Sequence, residues 1–190
     1  MPSLADRTMM RVSILAAGLA LLPAAGVRGQ ATPQAVDSVV RFPFVDASNL
    51  EGRPFAVPRD FAGALNLVVL AFTREQQTDV DGWMPTLRGI AATRANVRVY
   101  ELPVLARRYR LIRRVIDGGM RSGIPDPAVR AATITLFIDK SPFERALGIP
   151  NEEQIQILLV DRQGTVRWRA AGRYTETVGG QLATRVASTP

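Results

Sequence analysis

The chain of 190 residues contains no cysteine and no histidine. The first absence removes disulfides, thiol redox chemistry and the cysteine nucleophile. The second removes the imidazole base, and together they take away the two commonest transition-metal ligands, so neither a metal nor another cofactor is expected. Lysine is almost missing too: Lys140 is the single one, and 23 of the 24 basic residues are arginine. With Ala, Gly, Pro and Val abundant beside them, the arginines read as a compositional bias, and a high isoelectric point alone does not call for nucleic acid. Aromatic residues make up only 6%, and Tyr109 is the one stacking face within the main arginine run, so no nucleic-acid partner is expected. Glycine loops that cradle phosphate are also lacking, since Gly118-Gly119 and Gly179-Gly180 are too short and wrongly placed.

What is present is an ordinary balance for a folded chain, 47% hydrophobic and 22% charged. The N-terminus stands apart. Arg7 and Arg11 precede the apolar run VSILAAGLALLPAAG, and small residues follow as far as VRGQA, the order of a secretory signal peptide. Residues 1–29 are therefore expected to be a signal peptide, 30–41 a linker and 42–187 the folded domain, with a periplasmic or secreted location. The alternative is an uncleaved membrane anchor, although the run is shorter than the roughly 20 apolar residues that span a bilayer. Without residues 1–29 the chain loses Arg7, Arg11, Arg28 and Asp6 and keeps 21 basic and 16 acidic residues, a mild excess of five.

Along the domain, FPFVDASNLEGRPFAVPRDFAG reads as short β pieces broken by Asn49 to Gly52, Pro54, Pro58 and Gly63, an N-terminal β extension. LNLVVLAF, residues 65–72, is apolar without alternation, as in a strand buried on both faces. Val80, Trp83, Met84, Leu87, Ile90 and Ala91 then recur at helical spacing, with Pro85 expected to kink the helix unless it falls in the first turn. NVRVYELPV predicts a second strand, LARRYRLIRRVIDGGM a helix ended by Gly118 and Gly119, and TITLFID a third strand. QIQILLVDRQGTVRWRAAG predicts two strands around the tight turn Asp161 to Gly164, and Tyr174 to Val186 a closing helix.

This order, β–α–β–α–β, a hairpin and a helix, resembles the thioredoxin-like superfamily and implies an α/β mixed sheet flanked by helices. The resemblance extends to local register. Thioredoxin-like proteins carry a strand-end Phe, a CxxC pair five and eight residues on and a proline thirteen residues on; counted from Phe72, these positions hold Gln77, Val80 and Pro85. A cis-proline precedes the final hairpin in that superfamily; here the position falls near Gln154-Ile155, and Pro150 is several residues early. Residues 50–175 also resemble the mitochondrial ATP synthase assembly-factor family, a thioredoxin-like group without the redox pair. LVVLAFTREQQTDVDGW, LGIPN and LLVDRQGTVRWRAAG carry that likeness, with Asp161, Gly164, Val166, Arg167, Trp168 and Gly172 fitting its closing pattern D-x-x-G-x-[IV]-R-W-x-x-x-G. It implies assembly or chaperone work on a membrane complex, with another protein of the envelope as partner.

Three features are candidate binding sites. The turn Arg74 to Asp79 ends a central strand, where α/β proteins place their sites, and Glu75, Gln76, Gln77 and Asp79 offer amide and charge contacts; the bland alternative is a helix cap by Thr78 or Asp79. Arg107, Arg108, Arg110 and Arg114, with Arg113, offer a basic helix face for an acidic protein or an anionic membrane surface, or simply a solvated face. Arg167 and Trp168 lie on the last strand, where alternation puts Val166 and Trp168 on one face, buried against a helix. For catalysis only carboxylates remain, with Glu75, Asp79 and Asp81 close in sequence. The function expected is that of a non-redox accessory protein rather than an enzyme, the alternative being a divergent redoxin-type or carboxylate-based enzyme.

Overall fold

A computed structural model describes residues 29–34 and 39–189. The signal peptide expected over residues 1–29 lies outside the described residues except for Gly29, and among them no helix is long and apolar enough to cross a membrane. The strands are β1 (Thr32–Pro33), β2 (Val45–Asn49), β3 (Pro54–Val57), β4 (Leu65–Ala71), β5 (Val97–Ala106), β6 (Ile134–Ile138), β7 (Gln156–Asp161) and β8 (Val166–Ala171). The helices are α1 (Gln77–Ala92), α2 (Arg113–Gly123), α3 (Pro127–Ala132), α4 (Lys140–Leu147) and α5 (Glu176–Ser188), with 3-10 turns at Arg74–Gln76 and Arg107–Ile112.

The strands form one mixed sheet in the order β1-β8-β7-β4-β5-β6-β2-β3, parallel across β4, β5 and β6 and antiparallel elsewhere. All seven residues of β4 are buried, because both of its faces are covered. Leu65, Leu67, Val69 and Ala71 join one core with Trp83 and Leu87 of α1 and Leu182 of α5. Val68, Leu70 and Phe72 join a second with Phe42, Phe61 and, from α4, Phe143 and Leu147. The unbroken apolar run of this strand is thus two interleaved half-cores.

The predicted β extension is the β2–β3 hairpin, joined to the sheet where Ser48 and Asn49 pair with Thr135 and Ile134. Of the stretch expected as a linker, residues 30–34 run along β8, where Thr32 faces Ala171. Gly172 makes this approach possible: its φ is 107°, and a Cβ there would stand 2.8 Å from the carbonyl oxygens of Gly29 and Gln30.

Three expectations need correction. The helix predicted from Leu105 to Met120 is three pieces, because β5 continues to Ala106 by pairing Val104 to Ala106 with Leu136 to Ile138; a 3-10 turn follows, and α2 runs past Gly118 and Gly119 to Gly123. Pro85 is not among them: it lies well inside α1, beyond its first turn, the placement for which a kink is expected. Trp168 and Val166 do not share a face. A bulge lets Leu159 face Trp168 while Val160 faces Val166, which leaves Arg167 unpaired and sends Val166 into the second core and Trp168 against the first. Finally, α3 before the third predicted strand and α4 after it fill stretches for which the sequence pattern predicted no helix.

Candidate functional site

The chain leaves β4 at Phe72 and turns through Arg74–Gln76 into α1. Gln76 shapes this junction. Its side-chain oxygen accepts the Phe72 N–H at 2.7 Å and the Thr73 N–H at 3.3 Å, and its amide donates to the Glu152 carbonyl at 2.7 Å. Gln76 is buried, and both ends of its side-chain amide are engaged within the fold. Asp79 is buried as well, in the first turn of α1, where the positive helix end favours a carboxylate. Glu75 stays exposed on the 3-10 turn.

Gln77 is the residue of this group that looks into a cavity. The cavity, of about 460 Å³, is bounded by the exit of β4, the start of α1, the second half of β5 and one side of α2. Gln77, Thr78 and Asp81 line it from α1, Ile116 and Met120 from α2. Its remaining wall contains a residue that the sequence analysis passed over. On β5, Val97 and Val99 point into the core shared with α1, and Glu101 continues the same alternation beside Val69 of β4. A carboxyl thus occupies a position where the pattern predicts a valine.

Glu101 is half-buried, and its amide neighbour Gln77 donates to Asp81 Oδ1 at 3.0 Å. Burial, and after it the nearby charge of Asp81, push the Glu101 carboxyl up to about 7, against a hydrogen bond from Gln77 and the charge of Arg88. Near neutral pH the group is therefore divided between a neutral acid, which donates a hydrogen bond, and a carboxylate, which only accepts. The carboxylates expected to cluster, Glu75, Asp79 and Asp81, do not form the pair. The pair is Asp81 with Glu101, twenty residues apart in sequence and joined only by the packing of α1 on β5. A second, smaller cavity of about 320 Å³ meets the other side of Glu101 and is lined by Met84, Arg88 and Asp126.

The arginine group lies around the first turn of α2 and the 3-10 turn before it. Arg107, Arg108, Arg110 and Arg114 are exposed, with the Arg108 guanidinium 4.8 Å from the centre of the Tyr109 ring. Arg113 donates to the Ser48 hydroxyl at 2.6 Å and pairs with Asp117 at 3.6 Å, while Arg121 donates to the Leu50 carbonyl at 2.7 Å. Arg167 and Trp168 serve the fold. Arg167 Nε donates to Asp161 Oδ2 at 2.6 Å, Asp161 Oδ1 accepts the N–H groups of Gln163 and Thr165, and Trp168 packs on the core. The closing sequence pattern thus describes a turn and a bulge, far from the cavity at Gln77.

Among the described residues, no group of three or more acidic side chains is arranged to hold a metal ion. The cis peptide among them is Val57-Pro58, not the position near Gln154-Ile155.

No family model matches the chain, and no curated protein matches it. Solved structures do, at the level of the fold. A putative thiol:disulfide interchange protein DsbE from Chlorobium tepidum superposes with a TM-score of 0.53 at 14% identity, over 81% of this chain and 98% of that one. A DsbF homologue from Corynebacterium diphtheriae gives 0.55 at 9% identity, over 91% and 100%. BsSco, a member of the Sco family of cytochrome c oxidase assembly proteins, gives 0.52 at 11% identity, over 80% and 96%. The fold is thioredoxin-like. The Gln77 cavity sits at the strand-to-helix junction where, by the register counted from Phe72, thioredoxin-like proteins carry their cysteine pair.

Proposed function

We propose that the chain is an exported, non-redox, thioredoxin-like accessory of the cell envelope that holds a segment of another envelope protein in the cavity between α1, β5 and α2. The observation that carries this reading is the cavity itself: a partly apolar recess of about 460 Å³ at the redox position of the fold, equipped with Gln77, Asp81 and Glu101 instead of thiols. Such a lining suits an extended peptide. Apolar side chains enter between Ile116 and Leu105, while backbone amides meet the side-chain amide and the two carboxyls. The part that BsSco's family plays in cytochrome c oxidase assembly, and the resemblance of residues 50–175 to the ATP synthase assembly-factor family, support an assembly role over a catalytic one. The basic, apolar and small-residue order of the N-terminus supports export.

In-cell photo-crosslinking tests the reading. A benzoylphenylalanine at Thr78, an exposed residue on the cavity rim, is expected to trap a discrete envelope protein. The same group at Gly89, where a side chain meets open space about 16 Å further along α1, is expected to trap none. Equal adducts from both positions, or none from Thr78, contradict it.

A carboxylate-based enzyme is the second reading, and the Asp81–Glu101 pair favours it, since burial raises the Glu101 carboxyl beside an exposed second acid. It requires turnover of some substrate that Glu101→Gln abolishes. The binding reading expects Glu101→Gln to keep the Thr78 adduct.

A further inference from the structure

We propose that the segment Arg107–Gly123, the 3-10 turn with α2, docks on an anionic bilayer surface, laying Leu111, Ile112 and Val115 into the headgroup region between arginines. The segment borders the peptide cavity through Ile116 and Met120, but the proposed surface uses other side chains and does not depend on what the cavity holds.

The first observation is exposure. No residue of the 3-10 turn or of α2 is buried, although α2 is eleven residues long. Leu111 is 95% exposed, Val115 75% and Ile112 51%, so three of the five large apolar side chains that stand exposed among the described residues fall within five positions. A helix of this kind gains little from its own chain and is expected to find apolar cover elsewhere.

The second observation is charge. Residues 107–123 contain six arginines and one acid, Asp117, an excess of five that equals the excess of the whole chain from residue 30 onward. Two of the six are used internally, Arg113 on Ser48 and Arg121 on the Leu50 carbonyl, and these bonds tether the segment to the β2–β3 hairpin. Arg107, Arg108, Arg110 and Arg114 remain exposed at the surface. Arg110 and Arg114 line one groove with Leu111, Ile112 and Val115, so cationic and aliphatic side chains lie side by side there, next to Asn49 and Gly52 of the hairpin turn.

An anionic bilayer matches this face because it presents diffuse negative charge over an apolar layer, and needs neither aromatic anchors nor a shaped pocket. The signal peptide expected over residues 1–29 would also bring the chain to a membrane during export.

The test is sedimentation of the whole chain with vesicles of phosphatidylcholine alone and of phosphatidylcholine with phosphatidylglycerol. Binding is expected to require phosphatidylglycerol and to fall as salt is raised. Replacing Arg110 and Arg114 by Gln is expected to weaken it about 25-fold, roughly fivefold per arginine. Leu111→Ser with Val115→Ser is expected to weaken it as well, whereas Arg59→Gln with Arg162→Gln, exposed arginines outside the segment, leaves it unchanged. Indifference to phosphatidylglycerol, or equal binding by all variants, overturns the proposal, the second result assigning binding to the N-terminal run. A lipid-free dimer dissolved by Leu111→Ser, with no vesicle binding, overturns it in favour of a second copy of the chain.

Discussion

Gln76 donates its side-chain amide to the Glu152 carbonyl at 2.7 Å, tying the exit of β4 to the loop that precedes β7. The same side chain accepts two backbone N–H groups, from Phe72 and Thr73. Gln76→Ala leaves these groups without a protein partner next to the cavity. The expected cost is about 1–3 kcal/mol in denaturant unfolding, with faster amide hydrogen exchange at Phe72. An unchanged unfolding midpoint contradicts the clamp.

Asp161 fixes the β7–β8 turn through the N–H groups of Gln163 at 2.9 Å and Thr165 at 2.8 Å and through Arg167 Nε at 2.6 Å. Asp161→Ala is expected to lower stability by about 2–3 kcal/mol, and Asp161→Asn by about half of that, without loss of the Thr78 crosslink. Loss of the crosslink at full stability would move the binding site to this turn.

Trp83 is completely buried, donates its indole N–H to the Gly172 carbonyl at 3.0 Å and meets the Tyr174 ring edge-on at 5.3 Å. Trp83→Phe leaves the Gly172 carbonyl unpaired and is expected to cost about 1–3 kcal/mol. Trp83→Ala adds a cavity and is expected to cost about 3–5 kcal/mol, read as a fall in Tm.

The parts of the fold that were legible in the sequence are those whose signal is local. LNLVVLAF has one explanation at its length, burial on both sides, and the stripe from Val80 to Ala91 fits only a helix. Leu105, Tyr109, Ile112 and Ile116 also keep helical spacing, yet the strand wins as far as Ala106 because β6 supplies backbone partners that the sequence pattern does not reveal. The bulge at Arg167 is hidden for a similar reason: an extra residue in one strand is defined only by its partner strand. Of the candidate site, the location at the end of β4 and the presence of Gln77 there were legible. Glu101 was not, since its meaning comes from Asp81 across the α1–β5 contact.

Glu101 makes stability depend on pH with a definite sign. Its carboxyl sits at about 7 in the folded chain against an ordinary 4.5, so between these values the folded state holds a proton that the unfolded state has released. Stability is then greatest below 4.5 and declines as pH rises towards 7, by about 2–3 kcal/mol for a half-buried group. Glu101→Gln is expected to remove this decline, leaving the variant more stable than the natural chain at pH 8 by about 2 kcal/mol and nearly equal to it at pH 4.5. Matched unfolding curves at the two pH values measure it.

On this reading the redox position of the fold is a recess governed by a carboxyl that titrates near neutrality. A carbon-13 NMR titration of the Glu101 side-chain carboxyl tests it most directly. The account predicts a midpoint near 7 that moves down when Asp81 is replaced by Asn, because the neighbouring negative charge is removed. A midpoint between about 4 and 5, indifferent to Asp81, would mean a solvated carboxylate with no special environment and would contradict the account.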